Sequence, residues 1–284
     1  MTAEHLDPGR RHDVVLLFDV TDGNPNGDPD TNNAPRMDDE TGHGLVTDVA
    51  IKRRIRDMIP LLRPDDPRAR IFVEAGHALN TRWGRARATR PDDPIAGLCE
   101  MYFDVRMFGQ VLTGGKGAGT ATSIRGPLQC GFARSLDPVL PTDHRITRVT
   151  QTRQEDIDKG EATEMGTKWT VPYGLYRARL HYSPSQAART GVTSDDLALL
   201  WQAIELMFAA NLSASGGTRD VVGLYVFSHP TALGVASAGI LAGRIRHVLA
   251  TSGPPRAHSD YQPEVRVNDL PGGVVLTTLV DAWA

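Results

Sequence analysis

Three features of the sequence predict an α+β fold. Residues 13–20 (DVVLLFDV) are a short apolar run rich in Val and Leu, as in a buried strand. Two segments, within 45–62 and 193–212, carry apolar residues at helical spacing. Residues 145–182 alternate in places around a polar tip, as the arms of a long hairpin do. The elements read strand, helix, strand, insertion, strand, hairpin, helix, strand. Without the insertion that order is close to the split βαβ, ferredoxin-like pattern. Its sheet face often serves RNA, although a fold alone assigns no function.

After the first strand, TDGNPNGDPDTNNAPRMDDETGHG is a loop, dominated by Gly, Pro, Asn and Asp. Thr47 or Asp48 then caps a helix whose Val49, Ile51, Ile55, Met58 and Ile59 share one face. Pro60 and Pro64 limit it, and its polar face holds Lys52, Arg53, Arg54 and Arg56. Residues 70–75 (RIFVEA) read as a strand. Residues 80–122 read as an insertion with a basic stretch (Arg82, Arg85, Arg87, Arg90), a short helix near 94–103 and the Gly-rich LTGGKGAGT. Residues 123–134 read as a strand, and 145–182 as the hairpin with the tip QEDIDKGEATEMG. Thr193 or Ser194 caps the second helix, and Asp195 and Asp196 suit its positive end. Its stripe of Leu197, Leu200, Trp201, Ile204, Met207 and Phe208 is core packing rather than a cofactor box. Residues 221–229 read as a strand, and the tail as a second hairpin turning at Pro271–Gly273.

Composition narrows the function classes. The apolar runs are too broken for a membrane span, and MTAEHLDPGRRHD has no signal-peptide core, so export is not expected. Cys99 and Cys130 lie far apart with no CxxC partner, which fits a reducing cytoplasm and supports neither zinc nor a disulfide framework. The net charge of −3 gives no overall basic character. Its distribution is polarised: residues 1–50 hold three Arg against eleven Asp and Glu, and residues 51–90 hold eleven Lys and Arg against four acids. One face can therefore be basic on a mildly acidic molecule.

Several motifs fall short of the chemistry they suggest. Asp22, Asn24, Asn26, Gly27 and Asp28 match the start of an EF-hand loop, but Asn33 stands where the bidentate Glu is required. Asp19, Asp28 and Asp48 could serve a two-metal nuclease only by converging in space. From Gly109 the spacing reaches Gly114, but Gly115 replaces the P-loop Lys, and Lys116 is followed by Gly117. No HExxH, HxH or G-x-S-x-G motif appears. No metal and no cofactor is therefore expected. What remains is a turn that offers backbone NH groups and Asn side chains, followed by a cationic helix start, which suits a phosphate.

Longer strings carry a resemblance. NPNGDPDTNNAPRMDDETGHGLVTDVAIKRRIRD is similar to the N-terminal signature of the backbone subunits of CRISPR type I-C and I-B interference complexes, the Cas-seven group of the RAMP superfamily. The similarity continues in FDVRMFGQVL, IRGPLQCGFARSLDPVLP, ITRVT, MGTKWTVPYGLYRARLHYSP, DLALLWQAIELMF and LYVFSH, over roughly residues 12–250. It favours type I-C. The chain departs from the pattern in NLSASGGTRD, where Ser215 occupies a position that usually carries Arg, and in a longer Gly-rich loop at 113–119.

The resemblance implies an RRM-like palm (1–78, 123–144 and 172–284), a finger insertion (79–122) and a thumb β-hairpin (145–171). It implies no catalysis, the alternatives being a metal-dependent ribonuclease of the same superfamily and a free-standing nucleic-acid-binding regulator. It implies copies stacked in a helical filament along one crRNA, with other Cascade subunits, holding the guide for pairing with target DNA, in the cytoplasm and without a membrane. Contacts would go to phosphate and ribose, leaving the bases free. Carried over by position, Lys52, Arg53 and Arg56 are phosphate contacts, with Asn24, Asn26 and Arg36 from the preceding loop. Arg125 and Gln129 would touch the RNA backbone, and Met165 and Trp169 would form an apolar wedge at the thumb.

Overall fold

The computed structural model describes residues 3–112, 122–159, 163–210 and 216–284. In chain order the strands and helices are β1 (His12–Gly23), β2 (Gly27–Asp28), β3 (Ala34–Pro35), β4 (His43–Val46), α1 (Asp48–Leu62), α2 (Leu79–Thr89), α3 (Pro94–Met101), α4 (Phe103–Phe108), β5 (Gly109–Leu112), β6 (Thr122–Arg125), β7 (Leu128–Cys130), β8 (Ala133–Pro138), β9 (Thr142–Arg148), α5 (Gln154–Asp158), β10 (Glu164–Tyr182), α6 (Pro184–Thr190), α7 (Ser194–Glu205), β11 (Thr218–Ser228), α8 (Ala238–Ala242), β12 (Ile245–Leu249), β13 (Tyr261–Val265) and β14 (Val275–Asp281).

A mixed α/β architecture results, built on an antiparallel sheet of order β14-β11-β1-β10-β8-β4, with β7 and β9 also paired to β10. The central strand β1 is buried along nearly its whole length because both faces of the sheet are covered. Val14, Leu16, Phe18 and Val20 point to one face, under Ile51, Ile55 and Ile59 of α1 and Leu197, Leu200 and Ile204 of α7. Val15 and Leu17 point to the other, under Leu241, Ile245 and Tyr261. Alternation along the strand thus splits the core into two layers.

Local chemistry fixes the helices. Thr47 accepts from the Ala50 N–H at 3.2 Å and caps α1. Thr193 and Asp196 form a reciprocal capping box at α7. Arg106 of α4, fully buried, clasps Asp196 in a two-point ion pair (2.6 and 3.0 Å) that ties α4 to the start of α7.

Four expected elements differ. Pro60 sits inside α1, which runs on to Leu62. Residues 70–75 are not a strand: the Phe72 and Val73 N–H groups donate to the Asp104 carboxylate (2.7 and 3.1 Å), which takes the place of a neighbouring ladder. Residues 123–134 break into β6, β7 and β8. Gly126 lies flat against the backbone of Met107–Gly109, where a Cβ would collide, and Pro127 brings no N–H. The tail is not a hairpin: Gly272 and Gly273 do turn with positive φ, but β13 pairs with β12, and β14 adds to the free edge of β11.

The hairpin of 145–182 is formed. β10 is one strand of 19 residues. Its C-terminal part pairs with β1 from Val171 to Tyr182, and its N-terminal part pairs with β9 from Glu164 to Thr170. β9 is exposed along its whole length, so this half projects beyond the sheet.

Candidate nucleic-acid interface

The pairing Gly23↔Val171 puts the end of β1, the start of the projecting hairpin and the Asn-rich loop at one end of the sheet. Thr21↔Thr218 brings the start of β11 there as well. Gly23 and Gly217 meet so closely that a Cβ on either would strike the other's backbone neighbourhood, and Gly217 has φ of +60°.

The loop is held by its own amides. Asn24 Nδ2 donates to the Asn33 carbonyl (2.7 Å), and Asn26 Oδ1 accepts from the Thr47 N–H (2.9 Å), which pins the loop to the first turn of α1. Asp28 caps Asp30 N–H (3.1 Å) and pairs with Arg36 (3.0 Å). Asn32 and Asn33 take left-handed φ, as Asn tolerates. The Asp28 carboxylate is thus already engaged within the loop. Asp48 pairs with Lys52, and Asp19 with Tyr173 and His258, so these acids do not converge with Asp28. Among the described residues no group of three or more His, Cys, Asp or Glu is placed to hold a metal ion.

Between this loop and α1 opens a cleft of about 390 Å³, walled by Asn24, Asn26, Arg53, Arg54, Phe208 and Arg219. Three arginines line it against one carboxylate, Asp57, and the Arg53 Nε already donates to Asp57 at 2.7 Å. Burial pushes the Arg54 pKa down from its ordinary value. Arg219 is pushed down to about 10, first by burial and then by the charge of Arg54. Its guanidinium lies 5.5 Å from the centre of the Phe208 ring. Arg54 and Arg219 thus bring two like charges close together in the cleft wall. The buried Asn24 Oδ1 has no hydrogen-bond partner in the same wall.

The expected site residues divide. Asn24, Asn26 and Arg53 line the cleft. Arg36 flanks the loop and is spent on Asp28. Lys52 and Arg56 lie on a different face of α1. Lys52 pairs with Asp48 (2.9 Å). Arg56, its side chain 12% exposed, pairs with the fully buried Asp104 (2.9 Å) and stacks on Phe108 (5.1 Å). The trio is therefore not one cationic surface, and Arg56 serves packing between α1 and α4. Arg125 is exposed on β6, and Gln129 on β7 donates to the Gly126 carbonyl (3.0 Å). Met165 is 71% exposed on the hairpin. Trp169 is half-buried near its base, with a buried, unpartnered indole N–H. Ser215 and the 113–119 loop lie outside the described residues.

Sequence reasoning missed Arg54 and Arg219 as site residues. Arg54 was legible as a cation of the helix, one position from Arg53. Arg219 depends on the register of β11 against β1, which no local pattern reveals.

An antiparallel sheet backed by helices, with an arginine-lined cleft at one end, defines a mixed α/β protein with a cationic cleft. The family model described as CRISPR-associated protein Cas7 matches residues 10–267, and the chain belongs to that family. A CRISPR-associated protein Cas7 of Haloferax volcanii is 45% identical over 49 residues, 17% of this chain and 14% of that protein. The match thus spans about a seventh of that relative. A chain of a CRISPR RNA-guided surveillance complex, pre-nicking, superposes with a TM-score of 0.52 at 11% identity, covering 76% of this chain and 78% of that one, and shares the fold. A chain of a CRISPR RNA-guided surveillance complex superposes with a TM-score of 0.46 at 14% identity, covering 76% and 68%.

Proposed function

We propose that this chain is a guide-RNA-binding backbone subunit of a CRISPR type I interference complex, most similar to type I-C. It polymerises along crRNA with other Cascade subunits in the cytoplasm, and holds the guide for pairing with target DNA. It is not an enzyme. The observation that carries this reading is the cleft, where Arg53, Arg54 and Arg219 meet the Asn24–Asn33 loop beside the projecting hairpin. Cations and amides there suit phosphate and ribose, and leave base edges free.

The domain reading follows. The strand order β11-β1-β10-β8, with α1 and α7 on one face, supports an RRM-like palm formed by 1–78, 123–144 and 172–284. Residues 79–122 are the fingers and 145–171 the thumb. Met165 is the exposed apolar tip that displaces a nucleotide.

The test is to purify the chain expressed with and without a CRISPR array, and to measure the ratio of absorbance at the nucleic-acid and protein maxima together with particle mass. Trapped RNA of defined length in a large particle is expected only with the array. A nucleic-acid-free monomer that stays so when partner subunits are added overturns the assignment.

A further inference from the structure

A second concavity lies on the opposite face of the same sheet. Along β10, Tyr176, Ala178 and Leu180 pack into the layer under α1 and α7. Arg177, Arg179 and His181 alternate with them and so face the other way. With His43, Phe132 and Arg134 they line a hollow of about 560 Å³. Leu136 forms its edge against the apolar layer under α8 and β12.

The chemistry of this hollow is cationic and incomplete. Arg179 is exposed and has no carboxylate partner among the described residues. Arg177 donates to the Ala242 carbonyl, but its Nε is buried without a partner, as is the Nδ1 of His43. Burial, and then the charge of Arg179, lowers the Arg177 pKa. The acids nearby are engaged: Asp38 with Arg134, and Asp13 with His181, His229 and Arg11. Phe132 stands beside them 58% exposed.

We infer that this hollow binds a second single strand of nucleic acid, its phosphate on Arg177 and Arg179 and a base stacked on Phe132. Guanidinium groups with no carboxylate partner among the described residues select a polyanion, and an exposed ring beside them selects one that carries flat bases. An acidic protein segment would satisfy the arginines and leave Phe132 unused. The inference does not rest on the first cleft, because the two sites face opposite sides of the sheet.

The test uses the full chain in an Arg53→Gln/Arg54→Gln background, so that failure of the first cleft cannot mask the result. A fluorescein-labelled oligonucleotide of fifteen thymidines carrying 4-thiothymidine is titrated and photocrosslinked, and the adducts are mapped by mass spectrometry. The peptide containing Phe132 is the expected adduct. Arg179→Gln with Phe132→Ala, both at exposed positions that leave the core intact, is expected to weaken binding roughly tenfold and to flatten its salt dependence. Unchanged affinity in that double variant overturns the inference, as does a crosslink map lacking the Phe132 peptide. A poly-glutamate peptide of equal length that competes as well as the oligonucleotide also overturns it, in favour of an acidic protein partner.

Discussion

Neighbouring cations on one helix have opposite duties here. Arg53 and Arg54 face the cleft, whereas Arg56 spans to Asp104 on α4. Arg54→Gln is expected to weaken RNA binding about tenfold at matched salt, a loss of the order of one charge-assisted contact, with the thermal midpoint unchanged; equal affinity by fluorescence anisotropy would remove Arg54 from the site. Arg56→Ala is expected to act on folding, because it leaves Asp104 buried with one cation fewer. The cost is about 3 kcal/mol, read as a shift of the urea midpoint, while Arg53→Ala, at an exposed pair, costs well under about 1 kcal/mol. The sequence showed that the helix is cationic and that the loop before it is rich in Asn. It could not show which arginine turns inward, because Asp104 lies 48 residues away from Arg56.

At the scale of elements, the strands and helices with strong local signals were legible: β1 from its apolar run, α1 and α7 from period and caps, and β9–β10 from alternation. The failures all involve partners distant in sequence. Segment 70–75 has strand-like composition but satisfies its N–H groups on Asp104, and β14 finds β11 rather than its neighbour in the chain. The α4–α7 clasp is another such long-range contact. Arg106→Ala should destabilise the fold by roughly 3 kcal/mol, since it leaves the buried Asp196 with only the longer Arg68 pair (3.4 Å) and its bonds to Thr193. Burial favours the protonated Asp196, but the hydrogen bonds and charge of Arg106 win and hold its pKa below the ordinary carboxylate value. Folded-state depression of this sort contributes stability above the unfolded pKa and loses it as pH falls through the folded one. Acid titration of the wild type should therefore show a loss below about pH 4 that is smaller in the Arg106→Ala variant, where Asp13 and Asp38 still contribute theirs.

For the molecule as a whole, mild acid is the more telling condition. His12 is fully buried with a fixed tautomer: its Nε2 donates to the Asp7 carbonyl (3.0 Å), so its Nδ1 accepts from the Ser228 hydroxyl (3.0 Å). Burial lowers its pKa to about 4, and that of His247 to about 4 as well. Unfolded histidine takes up a proton near 6.5, so the unfolded state binds more protons as pH drops. Stability should hold above about pH 6.5 and decline from there toward pH 4. Calorimetry at pH 7 and pH 5 is expected to show a lower midpoint at pH 5, and His12→Gln should reduce that difference; a pH-independent midpoint would mean that these rings are solvated. RNA binding belongs to the same scale. It should weaken steeply with salt, through counterion release, and stay indifferent to guide sequence. A marked preference among random guides of equal length would point to base-edge contacts.

The 19 residues of β10 have a mechanical consequence. At about 3.3 Å per residue the strand is on the order of 60 Å long, a single beam anchored in the sheet at one end and cantilevered at the other. At the junction, Thr170 pairs with Thr142 and Val171 with Gly23, but the next residue, Pro172, has no N–H and skips its pairing with Asp22, whose φ is +51°. The break in the ladder therefore sits where the arm leaves the sheet, with the pairing continuous on either side of it. An arm that tilts at that point keeps its length, and copies laid end to end would inherit that length as a gauge.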